Sequence, residues 1–89
     1  MNSIIHTGDC CFICGQWGQE VHHCLHGTAN RKLADEDGLT VKLCRRCHAN
    51  LHDKGYFDRE LQKIAQTKWM EHYGKSEYEF LKRYGKSYL

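Results

Sequence analysis

Residues 39–52 read Leu-Thr-Val-Lys-Leu-Cys-Arg-Arg-Cys-His-Ala-Asn-Leu-His, and this stretch decides the fold. Up to Leu43 it alternates apolar and polar residues, which is the period-2 pattern of a half-buried strand. From Cys44 onward, Cys47, His48 and His52 recur at spacings of three and four, as on one face of a helix. We therefore expect a strand that leads directly into a helix at a Cys-x-x-Cys pair.

The upstream residues supply a partner for this strand. Residues 10–18, Cys-Cys-Phe-Ile-Cys-Gly-Gln-Trp-Gly, are typical of a metal knuckle, in which a glycine lets the backbone fold over an ion. The segment 20–25 predicts a short strand, followed by a loop that contains Gly27, Asn30, Arg31 and Lys32. The dipeptide Asp37-Gly38 predicts a turn before the second strand. The order strand, loop, strand, helix indicates a small α+β fold.

The C-terminal third predicts two helices. Asp58 is the expected N-cap of the first, which ends at Gly74. The sequence from Ser76 to Glu79 is a capping box that opens a last helix, ended by Gly85. We therefore expect a single domain over 1–89, with zinc knuckles and core in 10–53 and a helical extension in 57–89.

Composition limits the class of protein. The chain has 89 residues, six Cys, seven His and a formal net charge of only +2. A chain this short buries too small a core to be comfortably stable, so a staple is expected. No apolar run approaches the roughly 18 residues of a membrane span, and the first residues do not resemble a signal peptide. We therefore expect a cytoplasmic location, where paired cysteines bind metal rather than form disulfides.

Two Cys-x-x-Cys pairs predict a structural zinc site. Cys11, Cys14, Cys44 and Cys47 would complete a closed tetrahedral set of four thiolates. Two alternatives stay open at this stage: disulfides between the pairs, and a Cys₂His₂ site formed by the first pair with His48 and His52. Cys10 and Cys24 are left over, and are expected to be small hydrophobes or free thiols.

The histidines predict a second metal site. His48 and His52 lie four residues apart on one helix face and can share an ion. His22 and His23 point to opposite faces of the preceding strand, so one can bind the same ion while the other faces substrate. A metal to neutralise phosphate charge and a neutral imidazole to accept a proton are what phosphodiester hydrolysis needs. The other three histidines, His6, His26 and His72, are interpreted as isolated surface or hydrogen-bonded residues.

Together these motifs resemble the HNH endonuclease (ββα-metal) family. The resemblance rests on Cys-Phe-Ile-Cys-Gly at 11–15, the histidine pair, and the stretch 38–52. The small phage and prophage HNH proteins are most similar, and they share Gly-Thr-Ala-Asn-Arg-Lys-Leu at 27–33 and the tail at 85–89. The resemblance implies a β-hairpin and a helix that together hold one divalent ion. It also implies that the protein acts inside a bacterial host cell.

The resemblance also implies roles for individual residues. His23 would be the general base, and His22, His48 and His52 would hold Mg²⁺, Mn²⁺, Ni²⁺ or Zn²⁺. The family's middle Asn, which braces the base, is expected at the start of the second strand, where this chain has Gly38 and Leu39. Asn30 is the candidate for that role, with Asn50 as an alternative.

The leading functional hypothesis is a metal-dependent endonuclease that hydrolyses DNA, with RNA less favoured. Its expected phosphate contacts are Arg31, Lys32, Arg45 and Arg46. The runner-up is a non-catalytic zinc module that binds DNA or a protein, and a redox or metal-storage role is third. The modest charge suggests weak sequence readout, so a larger phage or host complex is an expected partner.

Overall fold

The computed structural model describes residues 2–89, which form two strands and four helices. In chain order the elements are β1 (Glu20–His23), α1 (Thr28–Asp37), β2 (Thr40–Leu43), α2 (Arg45–Lys54), α3 (Asp58–Tyr73) and α4 (Glu77–Tyr84). The expected α+β class is confirmed at this level. Within residues 2–89, no helix is both long and apolar enough to cross a membrane.

The two strands form an antiparallel hairpin whose register sets the face of each histidine. His22 pairs with Val41 and His23 with Thr40. Since side chains alternate along a strand, Glu20 and His22 share one face of β1. Their contacts with His48 show that this face is turned toward α2.

The segment between the strands is a helix, so the predicted loop is wrong. α1 spans Thr28–Asp37 and therefore carries Asn30, Arg31 and Lys32. Its N-cap, Gly27, provides no side-chain hydrogen bond, and its only buried residues are Ala34 and Asp37. Because the charged residue Asp37 occupies part of the buried face, the sequence shows no continuous apolar stripe at helical spacing. The predicted turn at Gly38 is the left-handed C-cap of this helix.

The knuckle at the N-terminus is fastened to the second strand. Phe12 N–H donates to the Lys42 carbonyl at 2.8 Å, and Gly15 N–H donates to the Cys11 carbonyl at 2.9 Å. Gly15 has φ +81, the left-handed conformation expected of the glycine that closes the knuckle. The first cysteine pair is thereby carried to the start of α2, where the second pair lies.

The C-terminal helices follow the predicted boundaries closely. α3 begins at Asp58, but its N-cap is Phe57 in a left-handed conformation, so the predicted N-cap is off by one residue. The capping box of Ser76 and Glu79 is confirmed. Both predicted glycine stops are also confirmed, because Gly74 and Gly85 are left-handed C-caps.

A buried carboxylate joins α1 to these helices. Asp37 accepts hydrogen bonds from Trp69 Nε1 (2.8 Å), Arg83 Nε (2.6 Å) and the Tyr84 hydroxyl (2.6 Å). Two causes raise the pKa of Tyr84: the larger is burial of its hydroxyl, and the second is the nearby carboxylate of Asp37. Trp69, Phe80 and Tyr84 pack around it as an aromatic cluster. These contacts fasten the end of α1 to α3 and α4.

Candidate metal centre

Four cysteine sulfurs converge where the knuckle meets the start of α2. Cys11, Cys14, Cys44 and Cys47 each place a sulfur within 4.8 Å of the others. The Cys44 side chain caps α2 by accepting from the Cys47 backbone N–H. Such a set of four thiolates fits a closed structural zinc site. We refer to these four residues as the cysteine cage.

Both alternatives left open by the sequence are excluded by distance. The sulfurs of Cys14 and Cys44 are 3.7 Å apart, far beyond a disulfide bond of about 2.05 Å. All six cysteines are free. The first cysteine pair groups with the second rather than with His48 and His52, so a mixed Cys₂His₂ site is also excluded.

The protonation of the cage depends on its neighbours. Burial raises the pKa of Cys11, but backbone N–H groups of Cys14 and Cys44 outweigh burial and lower it well below the usual thiol range. Burial and hydrogen bonds from the other thiols raise the pKa of Cys47. Four thiolates this close repel one another, and a bound cation would offset that repulsion.

The two leftover cysteines differ in exposure. Cys24 is fully buried in the core and Cys10 is exposed. Burial raises the pKa of Cys24 to about 12, so it stays a thiol and packs as a small hydrophobe. Cys10 is a free surface thiol.

Three histidines form a second cluster, which we call the histidine triad. His22, His48 and His52 each offer a ring nitrogen within 4.8 Å of the others. The ring centres of His22 lie 5.2 Å from His48 and 5.5 Å from His52, and the last pair are 4.7 Å apart. Three imidazoles bound to one ion at about 2.1 Å would have ring centres roughly 5 Å apart. The triad therefore fits a single divalent ion.

His22 supplies the most specific sign of a ligand. The residue is 2% exposed, and its Nε2 is the one buried side-chain nitrogen or oxygen among the described residues that lacks a hydrogen-bond partner. An unpartnered buried polar atom costs about 1–3 kcal/mol. Burial, with contributions from the neighbouring histidines, lowers the pKa of His22 to about 4. The ring is therefore neutral at pH 7 and has a free lone pair for a metal.

A carboxylate orients one ligand of the triad. His48 Nδ1 donates to Glu20 Oε1 at 2.7 Å, which leaves Nε2 to face His52 Nε2 at 3.0 Å. The hydrogen bond from His48 helps to lower the pKa of Glu20, as does nearby Arg45. Carboxylates that accept from the second nitrogen of a metal-bound histidine fix its tautomer and ring orientation. Glu20 belongs to no sequence motif, so its place beside the triad was not predicted.

A cavity of about 300 Å³ opens beside the triad. It is lined by Val21, Arg31 and five histidines: His22, His23, His26, His48 and His52. His23, the predicted base, borders this cavity, and its Nε2 lies 3.4 Å from Asp35 Oδ1. His23 thus has a carboxylate partner on α1, which sequence reasoning also missed.

The predicted phosphate contacts are dispersed. Of the four, Arg31 lines the cavity. Arg45 Nε lies 3.5 Å from Glu20, and Arg46 lies against the cysteine cage, whose sulfurs raise its pKa. Lys32 is exposed on α1.

The two candidate asparagines lie away from His23. Asn30 Nδ2 donates to the Tyr84 carbonyl at 3.3 Å, which ties α1 to the end of α4. Asn50 lines a small recess beside Cys47. The side chain that reaches His23 from α1 is Asp35.

His26 is exposed and hydrogen-bonded, as expected, but it is not isolated from the other histidines. Its ring centre lies 6.1 Å from that of His22 and 6.4 Å from that of His52. Its Nε2 donates to Asp58 Oδ1 at 2.6 Å. No spacing rule links His26 to a residue 32 positions away at the start of α3, so the sequence carried no signal for this pair.

Comparisons of the chain with known protein families, curated proteins and solved structures returned no significant match. The function of the chain is therefore inferred from the chemistry of its two clusters.

Proposed function

We propose that this chain is an HNH-type, metal-dependent endonuclease that hydrolyses phosphodiester bonds of DNA. The observation that carries the proposal is the histidine triad, with the buried and unpartnered Nε2 of His22. Further support comes from the order of the elements. β1 supplies His22 and α2 supplies His48 and His52, and β2 pairs with β1 and leads into α2, as the strand, strand, helix order implied by the resemblance requires.

In this proposal the two clusters have separate roles. The cysteine cage would hold Zn²⁺ and stabilise the fold, because a site of four thiolates leaves no coordination position for substrate. His22, His48 and His52 would hold a second divalent ion, which would neutralise charge on the scissile phosphate when bound. A set of three imidazoles suits Zn²⁺, Ni²⁺ or Mn²⁺ better than Mg²⁺, which prefers oxygen ligands.

The proposed base is His23. It borders the cavity, and Asp35 accepts from one ring nitrogen so that the other is left to take a proton from the attacking water. We assign this bracing role to Asp35 rather than to Asn30. Arg31 lines the same cavity. In this proposal it would pair with phosphate oxygens of the nucleic acid.

Plasmid cleavage tests the proposal. The zinc-loaded chain is incubated with supercoiled DNA and Mg²⁺, Mn²⁺ or Ni²⁺, and RNA is tested in parallel. We expect His23→Ala to slow cleavage by about 100-fold or more, since general bases contribute roughly 10²–10⁴. The matched control is His72→Ala, an exposed histidine on α3, which should retain full activity. Equal cutting by His23→Ala and the parent would show that the base is misassigned.

A second candidate function is a non-catalytic zinc module that binds DNA or a protein partner in a larger phage or host complex. Gly38 at the position of the family's Asn and the net charge of +2 favour it. If the parent chain cuts no nucleic acid with any of the three ions, this second function replaces the first. Gel shifts with the uncut DNA would then distinguish a nucleic-acid partner from a protein partner.

A further inference from the structure

His26 is oriented by a carboxylate, as His48 is, but through the opposite ring nitrogen: Nε2 in His26 and Nδ1 in His48. Each donates from one ring nitrogen to a carboxylate, His26 to Asp58 at 2.6 Å and His48 to Glu20 at 2.7 Å. An ionised carboxylate can only accept, so the bonded nitrogen carries the proton. When the ring is neutral, the other nitrogen has a lone pair that can bind a metal, and this is Nδ1 in His26 and Nε2 in His48.

His26 lies beside the triad but outside the set of nitrogens that are already within 4.8 Å of one another. It lines the cavity of the triad and lies next to His22 and His52, on the edge of the cluster that these two define. Its ring-centre distances of 6.1 and 6.4 Å exceed those within the triad, which run from 4.7 to 5.5 Å. A side-chain shift of roughly 1 Å would equalise them, which is small for a surface ring.

His26 is an exposed residue, as is His52 of the triad. The His26 side chain is 44% exposed, whereas that of His48 is 20% exposed and His22 is buried. An exposed ring can leave an ion without opening the core. Asp58 is the first residue of α3, so the carboxylate that orients His26 is set by a rigid helix.

We propose that His26, oriented by Asp58, is a fourth ligand of the ion bound by the histidine triad. It closes the coordination set when no substrate is present and yields its position to a phosphate oxygen. The inference rests on the metal site of the proposed function, but not on nuclease activity. Four neutral imidazoles would favour Zn²⁺, Co²⁺ or Ni²⁺ over Mg²⁺ in the resting protein.

The test is a Co²⁺ titration of the zinc-loaded chain without nucleic acid. Absorption reports both affinity and coordination number, since four-coordinate Co²⁺ absorbs more strongly than higher-coordinate Co²⁺. Absence of a thiolate charge-transfer band verifies that cobalt has not entered the cysteine cage. We expect His26→Ala to lower Co²⁺ affinity at least about 10-fold and to weaken the absorption.

Three further variants make the outcome specific. Asp58→Asn should lower affinity in the same direction, whereas Glu60→Gln, an acid in the same turn of α3, should leave it unchanged. His52→Ala should abolish binding. If His52→Ala abolishes binding but His26→Ala matches the parent, the fourth ligand is refuted and the triad stands. If His52→Ala also has no effect, the histidine metal site is refuted and the inference falls with it.

Discussion

At the scale of single residues, the triad depends on groups that hold its rings in place. His22 is fixed by burial and His48 by its hydrogen bond to Glu20. Sequence spacing predicted that His48 and His52 lie side by side, because residues i and i+4 of a helix share a face. It could not identify Glu20, whose role depends on the strand register that brings it opposite α2. Acidic residues are common on protein surfaces, so the presence of a Glu at position 20 does not by itself indicate a role beside a histidine.

We expect Glu20→Gln to weaken metal binding at the triad by about 10-fold, because the amide no longer fixes the His48 tautomer through a charged hydrogen bond. Isothermal titration with Ni²⁺ on the zinc-loaded chain measures the effect. Glu71→Gln, an exposed acid on α3, is the matched control for loss of one negative charge. Equal losses in the two variants would indicate a general electrostatic effect and contradict the orienting role.

At the scale of elements, the hairpin, α2 and the C-terminal helices were predictable because each carries a local signal: alternation, cysteine spacing, capping boxes or glycine stops. α1 was not. Its packing face includes the carboxylate of Asp37 rather than an apolar stripe, and its stabilisation comes from Trp69, Arg83 and Tyr84 far along the chain. The dipeptide Asp37-Gly38 is compatible with both a hairpin turn and the end of a helix. Only the tertiary contacts of Asp37 favour the helix end.

The same end of α1 accounts for the glycine at position 38, where the resemblance to HNH proteins would lead one to expect an Asn. Gly38 has φ +80, and a Cβ there would lie 2.5 Å from the backbone oxygen of Asn2. The N-terminal segment is held in this place by the Ile4 N–H, which donates to the Gly38 carbonyl at 2.9 Å. A side chain at position 38 therefore conflicts with the backbone of this fold.

Accordingly, Gly38→Asn should not restore a family-like site but should destabilise the chain by about 2 kcal/mol or more, through contact with backbone atoms. Gly55→Asn is the matched control, since Gly55 is also a left-handed helix C-cap but has open space around its Cβ. Asn tolerates the left-handed region, so the control should cost less than about 1 kcal/mol. Urea unfolding of both variants measures the difference, and equal costs would contradict the steric explanation.

At the scale of the whole molecule, the cysteine cage and the histidine triad are joined through α2. Cys44 is the N-cap of α2 and Cys47 lies in its first turn, and His48 and His52 follow on the same helix. The cysteine cage therefore sets the position from which the triad ligands project. Loss of zinc from the cage should disrupt the histidine site even though the cage touches no substrate.

Zinc removal is therefore expected to unfold residues 10–53 and with them the histidine site, because metal binding at a structural site supplies folding free energy. Cys44→Ser should behave like the chelated chain, since it removes a ligand, while Ser can still cap α2 and so leaves the helix start intact. Cys10→Ser is the matched control: this exposed thiol adjoins the cage in sequence but is not part of it. Circular dichroism of the chelated chain, Cys44→Ser and Cys10→Ser measures helix content, and Ni²⁺ titration of the same proteins measures binding at the histidine triad. A Cys44→Ser chain that keeps its helices and still binds Ni²⁺ at the triad would show that the fold does not depend on the cage.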